Sequence, residues 1–140
     1  MNAERINTYR SRQQAVRNLM ERMNESALWD AVVAFQKYPF RTVIGLPFTY
    51  ELTKGRNVDY NRELIIDSRS ESKTIVWSSV MLAFEKAVEL QSEIVLRAKA
   101  LGDIRGVSYI CPMLYRFGVI EVPEEDAGKM DIKRPLQKKE

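Results

Sequence analysis

Chemistry in this chain has to proceed without imidazole, because the sequence contains no histidine, and with one thiol, Cys111. That removes Ser-His and Cys-His dyads, histidine metal ligands and imidazole acid–base catalysis, and a lone cysteine cannot build a four-donor zinc site. Carboxylates, tyrosines, lysines and arginines remain. Glu85, Glu89 and Glu93 recur at every fourth residue, which lines three carboxylates along one helical face and suits a hard cation. A solvated face, offset by Lys86, accounts for the same pattern. Asp59, Glu63 and Asp67 share the spacing but fall on a loop and a strand, where it does not gather them. Neither GxGxxG nor GxxxxGK[ST] occurs, so no phosphate loop is written in the chain. Cys111 precedes Pro112 in apolar company with no neighbouring cation, the setting of an inert buried thiol. The expectation is therefore no catalytic residue, no metal, no cofactor and no enzyme.

Positive charge is the more promising chemistry. The net charge is +3 and the isoelectric point about 9.0, but the excess is uneven. Met1 to Glu25 holds five arginines against three acids, and Lys129 to Glu140 four lysines and an arginine against two acids, around a nearly balanced middle. Basic ends on a neutral body suit a polyanion. Arg10 and Arg12 on the first helix, with Lys54, Arg56 and Arg62 around a hairpin tip, are the candidate phosphate contacts. A solvated arginine face and an ordinary basic turn are the plainer alternatives. Convergence of the five first-helix arginines, Arg5, Arg10, Arg12, Arg17 and Arg22, on one side would separate the two.

These residues need elements to position them. Residues 3–23 carry Ile6, Tyr9, Val16, Leu19, Met20 and Met23 at helical spacings. Asn24 or Ser26 can cap a second helix through Leu28, Trp29, Val32, Val33 and Phe35 to about Lys37, which Tyr38-Pro39 terminates. A short connection makes the two an antiparallel pair. Arg41 to Ile44 reads as a short strand. Phe48, Tyr50 and Leu52 alternate with Thr49, Glu51 and Thr53, and Arg62 to Asp67 returns after the polar loop 54–59, giving a β-hairpin.

Lys73 to Lys99 reads as one long helix, N-capped by Ser70 or Ser72. Its apolar side, Val76, Val80, Ala83, Phe84, Ala87, Val88, Ile94 and Val95, spans roughly half the circumference against the ~100° stripe of a surface helix. It is expected to be the buried spine of the fold. Gly102 follows its end, and a last helix, Tyr109 to Phe117, capped by Ser108 and closed by Gly118, leads into a short strand, Val119 to Val122. The architecture predicted is α+β: an N-terminal helical hairpin, one β-hairpin, a long central buried helix and a short C-terminal helix-strand unit. Residues 1–123 form one domain, and 124–140, poor in apolar residues, a flexible charged tail.

Within Ser108 to Val122, the order Tyr109, Pro112, Leu114, Arg116, Gly118, Ile120 resembles the recognition-helix region of PadR-type winged-helix repressors. Tyr109 is not adjacent to Pro112 as in that motif, the helix-to-glycine spacing is shorter, and no second wing strand follows Val122. The resemblance implies that Tyr109, Arg116 and the first turn of that helix face a major groove.

No apolar run approaches the ~18 residues a membrane span requires, and the polar, arginine-rich N-terminus has no signal-type apolar stretch. The expectation is a soluble cytoplasmic protein, not bound to a membrane. Its leading function is nucleic-acid binding, as a transcriptional regulator or accessory factor. The alternative is a protein-interaction module, an inhibitor, adaptor or homo-oligomeric subunit, whose wide apolar spine is covered by a partner or a second copy.

Overall fold

Polar punctuation at Asn24 and at Tyr38-Pro39 cuts the N-terminal third into two helices. A computed structural model of the chain describes residues 3–55, 60–68, 71–90, 93–95 and 97–131. Helix α1 spans Ala3–Arg22 and α2 Glu25–Ala34. Asn24 is extended, and its side chain accepts the Ala27 N–H at 2.9 Å, which satisfies one of the free donors of the first turn. Ala15 and Leu19 of α1 are buried with Ala27, Leu28, Ala31 and Val32 of α2, so the two helices pair through small and branched side chains. Helix α2 stops at Ala34, earlier than the proline rule suggests. Lys37 then takes a left-handed conformation (φ 66°) and donates its N–H to Tyr50 O at 2.8 Å. The chain exits into the sheet through that bond.

Four strands follow, β1 (Phe40–Arg41), β2 (Pro47–Lys54), β3 (Tyr60–Ser68) and β4 (Ser72–Val76), all antiparallel and in spatial order β1-β2-β3-β4. Alternation decides the faces. Phe40, Phe48, Tyr50, Leu52, Leu64, Ile66 and Ile75 are buried beneath the helices, and the rows Tyr50–Ile66–Lys73 and Leu52–Leu64–Ile75 run across the strands.

The long spine helix is the main correction. Ser72–Val76 is the fourth strand, and α3 covers only Trp77–Glu89. A helical wheel groups Val76 with Val80, but Thr74, Ile75 and Val76 are β-branched and stiff at χ1. Ile75 also completes a sheet row opposite Leu64. Beyond Leu90 the described residues do not continue the helix: Val95 donates its N–H to Glu121 O at 2.8 Å, and Ala98–Leu101 is a single 3₁₀ turn. What survives of the spine is central: Trp77, Val80, Ala83, Phe84 and Ala87 are buried, while Ser78, Leu82, Glu85 and Glu89 face out. The expected Ser70 cap lies outside the described residues.

Helix α4 spans Val107–Arg116, starting two residues early because Gly106, not Ser108, is its N-cap. Gly106 has φ 84°, and a Cβ there would stand 2.7 Å from Ile75 Cδ1. Only glycine permits that approach of α4 to β4. Gly118 (φ 85°) closes the helix as expected, with Val119 N–H donating to Leu114 O at 2.9 Å. Val119 to Val122 contributes one parallel bridge, Ile94–Glu121, in place of a strand. Helix α5, Glu124–Met130, occupies the start of the expected tail. Glu124, Glu125 and Asp126 stand in its positive first turn, Met130 is buried, and it packs against β1. Residues 132–140 lie outside the described residues.

One hydrophobic cluster, from Ala15 to Ile120, joins α1 to α4 and the four strands. Among the described residues, no helix is long and apolar enough to cross a membrane.

Candidate nucleic-acid interface

The β2–β3 limb collects the basic residues that the fold does bring together. Lys54 and Tyr60 are register partners at its outer end, and Lys54 Nζ lies 5.5 Å from the centre of the Tyr60 ring, which is 37% exposed. Between Leu52 and Lys54 the register shifts, so β3 carries extra residues opposite Thr53, and Asn61 Nδ2 donates to Thr53 Oγ1 at 3.1 Å. Such a bulge increases local twist and re-aims side chains.

Two residues further, the Arg62 guanidinium carbon stands 4.1 Å from the centre of the Trp29 ring and 5.4 Å from that of Trp77. The two indoles meet edge to face at 5.0 Å. Trp77 Nε1 donates to Glu25 Oε2 at 2.7 Å, which fixes its ring. Arg62 is exposed and stacked, and no acceptor among the described residues takes its N–H groups. A guanidinium so placed keeps its donor fork for a ligand while the ring stabilises its charge.

Arg10 and Arg12 do not join this limb. At 100° per residue, Arg10 and Arg17 share the solvent side of α1, and Arg12 points the other way with Ala15 and Leu19. Arg12 is half-buried. Its Nε donates to Ala34 O at 3.0 Å and its Nη2 to Gln36 O at 2.9 Å, so it closes the C-terminal end of α2. Burial lowers its pKa, Tyr38 and Tyr50 partly restore it, and Arg116 lowers it further. The test of one shared arginine face on α1 is therefore not met. Arg56 and the Arg5 side chain lie outside the described residues.

Tyr60 was visible in the sequence as the aromatic between Lys54 and Arg62. Trp29 and Trp77 could not be connected to Arg62 before folding.

The groove-facing roles implied for Tyr109 and Arg116 are not met. Tyr109 is 6% exposed and donates its hydroxyl to Glu71 Oε2 at 2.6 Å, with Ser68 Oγ at 3.5 Å and Lys73 Nζ 5.8 Å from its ring. Burial first, then the Glu71 bond, raise its pKa, so this phenol stays protonated and serves as a donor. Val107 and Tyr109 to Leu114 of α4 are buried, so that helix has no face free to enter a groove. Arg116 bonds the Tyr38 hydroxyl at 2.8 Å.

The carboxylate ladder is also cut, because α3 ends at Glu89, which pairs with Lys86 at 3.5 Å. Among the described residues no three acidic, Cys or His side chains gather for a metal. Cys111 is 1% exposed, and burial pushes its thiol up to about 11.

Comparison of the chain with known protein families, with curated proteins and with solved structures gives no match in any of the three.

Proposed function

We propose that the chain binds single-stranded nucleic acid along the β2–β3 limb. One observation carries the reading: two cation-over-aromatic pairs, Lys54–Tyr60 and Arg62–Trp29, lie in succession on one limb, with Tyr60 and both cations open to solvent. Cations take phosphates and exposed aromatic faces take bases, and a base can stack only when it is not already paired, which favours single strands over duplex. Each stacked base contributes on the order of 1–3 kcal/mol, and each neutralised phosphate adds salt-dependent affinity. A role in regulation or as an accessory factor goes with this reading.

Trp29 and Trp77 are the two tryptophans of the chain, and both touch Arg62. Titration of the protein with oligouridylate at low salt is expected to give a saturable change in tryptophan emission. A duplex of the same length is expected to bind more weakly. No saturable change with any single strand would remove the reading.

A second reading has its own observation. Ile44 is 70% and Leu46 45% exposed, two residues apart in the β1–β2 turn, which supports a protein-interaction surface. Light scattering at two concentrations tests it for self-association, and a strict monomer counts against a homo-oligomer.

A further inference from the structure

The seam between α1, the end of α2 and α4 holds an arrangement of charge that the hairpin limb does not use. Arg12 enters it from α1 and Arg116 from the last turn of α4. Each guanidinium carbon lies 5.1–5.5 Å from the centres of both the Phe35 and the Tyr38 ring, so the two cations share one aromatic platform. Both side chains are half-buried. Among the described residues, no carboxylate pairs with either. Their hydrogen bonds run only to neutral acceptors: Ala34 O and Gln36 O for Arg12, and the Tyr38 hydroxyl for Arg116.

A guanidinium carries five N–H groups. The Nη1 of Arg12 and both terminal nitrogens of Arg116 are therefore without a protein acceptor among the described residues, and so is the Tyr38 hydroxyl proton. Two like charges against the same rings of a partly desolvated seam repel each other, and Arg116 accordingly lowers the pKa of Arg12. An incoming anion turns that repulsion into attraction for itself.

We propose that Arg12 and Arg116, with the Tyr38 hydroxyl beside them, form a binding site for a phosphate group. Phosphate matches this site in charge and in acceptors. A phosphate ester carries about −1.5 to −2 charge at neutral pH and three strong acceptor oxygens, against two cations and a surplus of donors. A carboxylate or chloride would leave one positive charge unmatched. Free phosphate, a small phosphate ester and the terminal phosphate of a nucleic acid share this chemistry. The site shares no residue with the hairpin limb: Arg12 closes the C-terminal end of α2 at Ala34 O, whereas Arg62 stacks on Trp29 in its middle.

The test uses the full chain and inorganic phosphate. ³¹P NMR at millimolar phosphate, with ionic strength held constant by chloride, is expected to show a saturable change in shift and line width with one site per chain. Arg116→Met should weaken binding at least tenfold, and Arg116→Lys less, because lysine keeps the charge but loses the fork. Arg116 is the residue to change, since Arg12 also closes α2. Circular dichroism establishes that each variant is folded.

Comparing a 5′-phosphorylated with a 5′-hydroxyl single strand separates the sources. Tighter binding of the phosphorylated strand, lost in Arg116→Met, assigns the site to a nucleic-acid end. Equal binding, alongside saturable inorganic phosphate, assigns it to free phosphate or a small ester. No saturable phosphate binding, or binding unchanged in folded Arg116→Met, overturns the proposal and leaves the hairpin-limb reading standing.

Discussion

Replacing Arg12 by methionine separates a structural arginine from a ligand contact. Methionine keeps most of the unbranched stem and removes the guanidinium that lies over Phe35 and Tyr38. Two hydrogen bonds are lost, to Ala34 O at 3.0 Å and Gln36 O at 2.9 Å. A bond from a charged donor contributes about 1.5–3 kcal/mol when buried and less where water can replace it. Arg12 is only half-buried, so about 1–1.5 kcal/mol each is the appropriate range. Lost cation–π contact adds about 0.5–1 kcal/mol. Relief of repulsion from Arg116 returns on the order of 1–1.5 kcal/mol, taking the two charges at the ~10 Å upper limit that contact with one ring sets, with an effective dielectric near 20 and a discount for solvent. The net expectation is a loss of roughly 1.5–2.5 kcal/mol, or about 5–9 °C in Tm for a chain of this size. Thermal melts at two salt concentrations measure it, with Arg10→Met as the exposed control. The loss should persist at high salt, because bonds to carbonyls are not screened as surface ion pairs are. An Arg12→Met melt matching that of Arg10→Met would refute the capping role and return Arg12 to the pool of free phosphate contacts.

Two further predictions follow from buried groups. Tyr50 is fully buried and its hydroxyl donates to Val32 O at 2.6 Å, tying β2 to the last turn of α2; Tyr50→Phe should cost about 1–2.5 kcal/mol in urea unfolding with an unchanged m-value. The Cys111 thiol is raised from 9.0 to about 11 by burial. Its contribution is fully present below pH 9 and is lost as pH rises through about 11, because the unfolded chain ionises first. Two units correspond to about 2.7 kcal/mol; Cys111→Ala, compared with wild type in denaturant at pH 8 and pH 11, should remove part of the alkaline loss, and an identical pH dependence in both would contradict it. Tyr50, whose pKa burial raises well above its ordinary value, acts in the same direction at higher pH.

How much of this could be read beforehand depends on whether local sequence or tertiary packing decides. The Asn24 cap, the alternating face Phe48–Tyr50–Leu52 and the closing role of Gly118 are set by neighbours a few residues away, and the structure contains all three. The α+β composition follows from them. Strand β4 was not legible, because Val76 groups with Val80 on the helical wheel, and Ile75, on the wheel's polar side, finds its buried place only in a sheet row. The deciding partner, Leu64, is a tertiary neighbour. Helix α5 escaped notice because one buried residue, Met130, leaves no periodic trace in seven. The candidate site divides in the same way. The sequence implies the hairpin that carries Lys54, but its pairing with Tyr60 needs the register shift after Leu52, without which Lys54 would face Arg62. Arg62 over Trp29 depends on where α2 lies against the sheet, and Arg12 beside Arg116 on three helical segments meeting at one seam.

The most direct measurement of the central claim is the salt dependence of single-strand binding by wild type and by the Lys54→Gln/Arg62→Gln pair, with melts to establish that both are folded. Each phosphate neutralised on a single strand contributes about 0.7 to the slope of log K against log salt. The account predicts a steep negative slope for wild type that falls by roughly 1.4 in the double variant, together with a drop in affinity. An unchanged slope in a folded double variant, or no salt-sensitive binding by wild type, would contradict it.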